Sequence, residues 1–371
     1  MNIYKYNDTI KACRMCLMCR HACTVGNVTQ VDTNLPRGKA LLLFADQMEM
    51  VEWDHRAVEV IYQCTNCHLC REWCVNGWDI APVMIASRSE LVQKGLEPPE
   101  AVQVKKNYEL SGNLYGEEKS QLDKWIGNGE IEIKEKASVL YFAGCTTSYR
   151  QPEIAQAAIA LMKHCGTDFT ILPDEPCCGE QLYVLGYQAE AKALAEKTLE
   201  RFIKTGAKIV VSSSPTCIDT FRHSYREWGL DVPDDIHFFH MSEYLANELS
   251  SDKLHMTRSL GMSLTYHDPC SLGREMRVFD EPRQVIHSVP GIEFRELRLN
   301  RQHSPCCGNG GGVPITNFDI AYGAGKNAGE LIQETRADVL VTACPACKQS
   351  LKHHVEDMEV LDIAELVMRA L

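Results

Sequence analysis

The 371-residue sequence predicts an α+β multidomain protein: a mostly helical N-terminal module followed by two duplicated α/β domains with parallel sheets. Three observations carry that expectation. Within the first hundred residues, helical segments flank two identical four-cysteine runs. From Ser138 onward short apolar strands alternate with longer amphipathic segments, the signature of βαβ units. The tripeptide Cys-Cys-Gly occurs twice, at Cys177-Cys178-Gly179 and Cys306-Cys307-Gly308, once inside each array of strands and helices.

The N-terminal runs are Cys13-x2-Cys16-x2-Cys19-x3-Cys23 and Cys64-x2-Cys67-x2-Cys70-x3-Cys74. Three thiolates at this spacing wrap one corner of an iron–sulfur cube, and in two-cluster proteins the fourth cysteine of each run reaches across to the other cluster. The expected sets are therefore Cys13, Cys16, Cys19 and Cys74 for one [4Fe-4S] cubane, and Cys64, Cys67, Cys70 and Cys23 for a second. Zinc sites more commonly show two separated pairs than two identical runs of four. Thr24 and Val75 stand where bacterial ferredoxin runs usually place proline, which bears on the local turn and not on ligation.

Between and after the runs, Pro36 to Met50 reads as a turn feeding a helix, Arg56 to Tyr62 as a second helix, and Ile80 to Lys94 as an amphipathic helix ended by Gly95 and Pro98-Pro99. Residues 1–100 are thus expected to form a helical two-cluster ferredoxin-like domain. Residues 101–136, polar with scattered apolar positions, read as a linker and docking segment for which Trp125 is the candidate anchor.

The first α/β domain is expected over 137–255. Strand Val139 to Gly144 leads to Cys145, helix Pro152 to His164 follows, and strand Asp168 to Leu172 leads to Cys177-Cys178. Helix Ala189 to Thr205 and strand Lys208 to Val211 then lead to Ser214 and Cys217. The second domain, 256–371, repeats the order: strand Ser263 to Tyr266 into Cys270, a helix near Glu281 to Ser288, a strand near Glu293 to Glu296, then Cys306-Cys307. Helix Phe318 to Thr335 and strand Ala337 to Thr342 lead to Cys344-Pro-Ala-Cys347. In both halves the thiols fall at the carboxyl ends of strands, where open α/β sheets place their sites. The second half has five cysteines in register, whereas the first has four because Ser214 stands where Cys344 stands. Cys165 fits no set and reads as a small buried apolar residue.

Eighteen cysteines without a signal-peptide pattern point to metal or redox chemistry in a reducing compartment, and a cytoplasmic location is expected. The net charge of −12, with no basic stripe interleaved with aromatics, argues against nucleic acid. No apolar run approaches the roughly 18 residues of a membrane span. The glycines at 308 and 310–312 lack the Lys-Ser/Thr pair of a phosphate loop, and no dinucleotide fingerprint is present.

Two Cys-Cys-Gly domains behind a two-cluster module resemble the CCG-domain iron–sulfur proteins related to heterodisulfide reductase. Their order is similar to that of the iron–sulfur subunits of glycolate oxidase, lactate utilisation and anaerobic glycerol-3-phosphate dehydrogenase systems. The resemblance covers nearly the whole chain, from about Cys13 to about Ile363. It implies that Cys270, Cys306, Cys307, Cys344 and Cys347 hold a further [4Fe-4S] cluster, noncubane or a cubane on four of the five. Cys145, Cys177, Cys178 and Cys217 depart from the pattern, and a fourth [4Fe-4S] cluster, a zinc ion or no metal all stay open there.

His267 and Asp268 are read as fixing the turn before Cys270 or relaying protons, Arg274 as a positive neighbour of a cluster, and Glu180, Gln181, His303 and Ser304 as loop residues beside the paired cysteines. With no flavin site legible, the expected role is an electron-transfer subunit served by a flavoprotein dehydrogenase and other electron-transfer proteins, with any membrane association peripheral and through a partner. The alternative is reduction of a disulfide or quinone-like acceptor at the second CCG cluster.

Overall fold

The computed structural model describes residues 3–13, 16–118, 125 and 132–371. The N-terminal module is helical, with α1 (Pro36–Gln47), α2 (His55–Tyr62) and α3 (Ala81–Gln93) as its longer elements. Proline stands in the first turn of α1 and α3, where its missing N–H costs nothing. The segment read as an amphipathic helix, α3, is in fact buried on almost every side: Ala81, Val83, Met84, Ala86, Ser87, Arg88, Ser89 and Leu91 are all inside. A helix with that profile is a central strut between layers.

The expected linker begins with α4 (Pro99–Ser111), which starts at Pro98-Pro99 and stops at Gly112 in the left-handed conformation. Its Ala101, Val104 and Tyr108 are buried, and Trp125 packs edge-on against Tyr141, so both belong to the protein body. Glu117 pairs with Arg150 and the Lys134 backbone with Thr170, while 119–124 and 126–131 of the segment lie outside the described residues.

Two four-stranded, fully parallel sheets follow. In the first, β1 (Val139–Phe142), β2 (Phe169–Ile171), β3 (Ile209–Ser212) and β4 (His237–His240) lie in the order β2-β1-β3-β4. In the second, β5 (Met262–His267), β6 (Ile292–Phe294), β7 (Val339–Thr342) and β8 (Glu359–Asp362) lie in the order β6-β5-β7-β8. The fourth strand of each sheet was not legible in the sequence. Each ends on a residue that caps the next helix with a reciprocal capping box, His240 with Glu243 and Asp362 with Glu365.

The two halves pack as a pseudo-two-fold pair. Helix α5 (Pro152–His164) contacts α8 (Ile363–Ala370), and the equivalent helices α6 (Met241–Ser250) and α7 (Asp280–His287) contact each other. One apolar core, including Tyr141, Val211, Leu264, Tyr266, Val341 and Leu361, runs through both sheets.

Arg88 locks the N-terminal module to both halves. Its fully buried guanidinium donates to the carbonyls of Ile61, Tyr62 and Cys64, to that of Val184 at 2.8 Å and to that of Gly311 at 2.7 Å. Arg88→Met removes hydrogen bonds from a charged donor and strands five buried carbonyls. A loss of about 3 kcal/mol or more is expected in chemical denaturation.

His240 carries a pH dependence. Its Nε2 donates to the Ser213 carbonyl and its Nδ1 accepts from the Ser242 amide, and burial pushes its pKa down to about 3. The unfolded chain therefore takes up this proton first, and stability falls as pH drops from about 6.5 toward 3. Between pH 7 and pH 5, denaturation of His240→Gln is expected to show about 2 kcal/mol less pH-dependent loss than the parent chain.

Candidate metal centre

Each N-terminal run turns through a left-handed residue after its second cysteine, Leu17 (φ 66°) and His68 (φ 56°), and then enters a short helix. That turn swings three thiols toward one point. The fourth thiol of each run lies with the other set: Cys13, Cys16, Cys19 and Cys74 line one cavity of about 260 Å³ with Arg37 and Trp78. Cys23, Cys64, Cys67 and Cys70 line a tighter one with Lys39, Thr65 and Ile80. Cys16 is exposed, whereas the second set is enclosed: burial pushes the Cys23 thiol up to about 12 and also raises Cys70. A coordinating metal removes such a proton outright.

In each sheet the chain order reverses between the two central strands, a topological switch point. Cys145 follows β1 and Cys217 follows β3, with Cys177 and Cys178 on the loop after β2. The Sγ atoms of Cys178 and Cys217 are 3.6 Å apart, and Cys177 is hydrogen-bonded to both Cys145 and Cys178. Ser214 Oγ accepts from the Cys217 amide, the same capping bond that Cys344 Sγ makes with the Cys347 amide. In the second half, hydrogen bonds join Cys270 to Cys306, Cys306 to Cys307, Cys307 to Cys347 at 3.3 Å, and Cys347 to Cys344. Cys165 lies apart from these sets beside Tyr244, half-buried at the end of α5 and not fully buried as expected.

Two further juxtapositions organise these sets. Cys306 Sγ donates to Thr65 Oγ1 of the second run at 3.8 Å and interacts with the Cys67 side chain, so the second half's thiols abut the enclosed N-terminal set. Both halves also open onto one cavity of about 570 Å³, lined by Cys145, Cys177, Cys178 and Cys217 on one side and by Cys270, Cys307, Cys344 and Cys347 on the other. Among the described residues, no group of three or more His, Cys, Asp or Glu side chains is placed to hold a single metal ion. The thiols are gathered in sets of four and five, the donor chemistry of a thiolate-held iron–sulfur cluster. Lys39, Arg88 and Arg274, each within electrostatic reach of these thiols, form no ion pair among the described residues, so an anionic cluster fits where a neutral group would leave buried positive charge.

The residues flagged beside the cysteines divide by role. His267 donates from Nε2 to the Pro305 carbonyl and so fixes the loop that carries Cys306. Asp268 accepts two bonds from Arg283 and one from the Arg301 amide, a buried structural pair. Arg274 donates to the carbonyls of Cys67, Gln302 and Ser304. Glu180 and Gln181 line the shared cavity, while the His303 ring packs on Trp73 and Ser304 is buried. The glycine loop lies on the second run: a Cβ at Gly310 or Gly311 would meet the Thr65 or Cys64 carbonyl oxygen at 2.5 or 2.3 Å.

Three site residues escaped the sequence reading. Tyr108 of α4 shares a hydrogen bond of 3.3 Å with Cys177 Sγ, and Lys39 and Arg88 are buried beside the second N-terminal set. Arg88 had a usable signal, since it interrupts a helix made otherwise largely of small and apolar residues.

Comparison with known proteins agrees with this arrangement. The "Cysteine-rich domain" family (CCG) matches residues 139–222 and 264–352, and the "4Fe-4S dicluster domain" family matches residues 9–78. One of the subunits of the dihydromethanophenazine:CoB--CoM heterodisulfide reductase of Methanosarcina barkeri is 33% identical, over 84% of this chain and 78% of that protein. EtfAB:quinone oxidoreductase of Syntrophomonas wolfei is 28% identical over 84% of this chain and 47% of its own length. Among solved structures, a hypothetical protein from Helicobacter pylori shares the fold with a TM-score of 0.51 at 9% identity, covering 99% of this chain and 75% of that one.

Cys307 links Cys306 to Cys347 within the second set, and its replacement tests that set alone. In anaerobically prepared protein, Cys307→Ser is expected to abolish or alter one electron paramagnetic resonance signal while both N-terminal signals keep their shape and intensity.

Proposed function

The chain belongs to the CCG-domain iron–sulfur proteins related to heterodisulfide reductase, and from that premise we propose that it is the electron-transfer subunit of an oxidoreductase complex. Cys13, Cys16, Cys19 and Cys74 hold one cubane, Cys23, Cys64, Cys67 and Cys70 a second, and Cys270, Cys306, Cys307, Cys344 and Cys347 a further [4Fe-4S] cluster. Cys145, Cys177, Cys178 and Cys217 hold either a fourth [4Fe-4S] cluster or a zinc ion. When bound, each cluster supplies a one-electron store whose potential follows its charge, hydrogen bonding and burial.

The observation that carries this reading is the contact between Cys67 and Cys306, which joins the enclosed N-terminal set to the second CCG set without an intervening residue. Exposed Cys16 marks the outer end of the path, where a flavoprotein dehydrogenase delivers electrons. The working divisions are 1–100 for the dicluster module, 101–136 for the connecting segment, and 137–255 and 256–371 for the CCG domains. Seventeen of the eighteen cysteines falling into ligand sets suits a reducing, cytoplasmic setting. Among the described residues no helix is long and apolar enough to cross a membrane, which suits peripheral association through a partner.

A second reading is favoured by the 570 Å³ cavity between the two CCG sets. A heterodisulfide-reductase-like chain would seat a disulfide or quinone-like acceptor there and reduce it with electrons arriving through Cys306. Gln181 and Glu180 would then line the acceptor's seat.

Anaerobically purified chain is expected to contain roughly 12 to 16 irons, about four per cluster, and about eight would remove clusters from the CCG sites. With reduced viologen as donor, reduction of the clusters without turnover of a small organic disulfide supports electron transfer. Turnover of about 1 per second or faster, the range of ordinary enzymes, supports the reductase reading instead.

A further inference from the structure

Resting on the cluster assignment above, we propose that Lys39, Arg88 and Arg274 make the second cubane site the higher-potential member of the N-terminal pair. Electrons then run one way, from the Cys13/Cys16/Cys19/Cys74 site inward to the Cys23/Cys64/Cys67/Cys70 site and on to the second CCG site.

Three buried basic side chains converge on the inner set: two arginines, and Lys39, whose pKa burial lowers while the neighbouring Cys64 and Cys23 thiolates oppose that shift. Lys39 is 2% exposed, lines the cavity itself and acts on Cys23, Cys64 and Cys70. Arg88 is 0% exposed and holds the Cys64 carbonyl at 2.7 Å. Arg274 is 1% exposed, donates to the Cys67 carbonyl and acts on Cys67, Cys270 and Cys306. One of its buried guanidinium nitrogens has no hydrogen-bond partner among the described residues. Arginine keeps its charge at any pH a protein survives.

None of the three forms an ion pair among the described residues. The carboxyl groups acting on the two arginines are Glu180 and Glu275, and Glu275 is engaged by Arg71 at 3.2 Å. The other charges beside this set compensate one another: His68, Arg71 and Arg277 face Asp79, Glu72 and Glu275.

The outer set differs in both respects. Among the described residues Arg37 is the cation lining its cavity, and Cys16 is exposed, so water and salt screen the charge there. Adding an electron to a thiolate-held cluster makes it more negative, and uncompensated positive charge in a dry site favours that reduced form. The inner site therefore takes the electron from the outer one. Each step moves one electron: a reduced flavoprotein or similar one-electron donor reduces the outer site, the outer site reduces the inner, and the inner site reduces the CCG site through the Cys67–Cys306 contact.

The test is a redox titration of the anaerobically purified full chain, followed by electron paramagnetic resonance. Cys16→Ser and Cys70→Ser identify the outer and inner signals. In the parent chain the inner signal is expected to develop at the higher potential. Lys39→Met is expected to lower the inner site's reduction equilibrium constant at least tenfold, a shift of about 59 mV for one electron, and to leave the outer midpoint in place; Lys39→Arg restores it. If Lys39→Met does not fold, Arg274→Gln should produce the same selective shift and Arg274→Lys should reverse it. An outer site that reduces first, or a shift shared equally by both sites, overturns the inference. Absence of two distinct cubane signals in the parent chain overturns the cluster assignment on which it rests.

Discussion

The structure depends on a buried guanidinium. Arg88 sits at the middle of a helix packed on nearly all sides, and its donors reach carbonyls in the dicluster module, the first α/β half and the glycine loop of the second. A charge at that depth is tolerable only because its donors are satisfied by directed backbone dipoles. The same bonds fix the Cys64 end of one thiol set against the glycine loop beyond Cys306 and Cys307. Domain packing and thiol placement are therefore one constraint.

From that constraint the remaining architecture follows. The two halves pair through equivalent helices, which brings both switch points to face each other and merges their crevices into one cavity. The N-terminal module breaks the symmetry. It places Cys67 against Cys306 of the second half, whereas the first half receives the hydroxyl of Tyr108 beside Cys177. The half whose thiols meet the module's inner set carries five thiols, and the half with Ser214 in place of the fifth packs on the module through Val184 and Leu185 and faces the cavity from the other side. That asymmetry gives the molecule a direction: an exposed thiol set, an enclosed one, and then a site facing a cavity.

Much of this was legible in the sequence because its signals are local. Cysteine spacing, strand periodicity and the Cys-Cys-Gly duplication are each contained within a few dozen residues, and the structure gathers the fourth cysteine of each N-terminal run with the opposite run. What escaped was either short or non-local. His237–His240 and Glu359–Asp362 are edge strands of four residues, too brief for an alternating pattern to stand out from their flanks. Lys39 reads as an ordinary surface lysine, and only tertiary packing buries it beside Cys23 and Cys70. The contact of Cys67 with Cys306, residues more than two hundred positions apart, has no sequence signal at all.

If three of these thiol sets form one continuous electron path, iron must lie in all three. The most direct measurement is an iron-edge anomalous diffraction map from anaerobically grown crystals. Four-iron density is expected inside Cys13/Cys16/Cys19/Cys74, inside Cys23/Cys64/Cys67/Cys70, and at the five thiols from Cys270 to Cys347, with the last two neighbouring each other across Cys67 and Cys306. Iron held within a single N-terminal run, or no iron at the Cys306-Cys307 site, would contradict it.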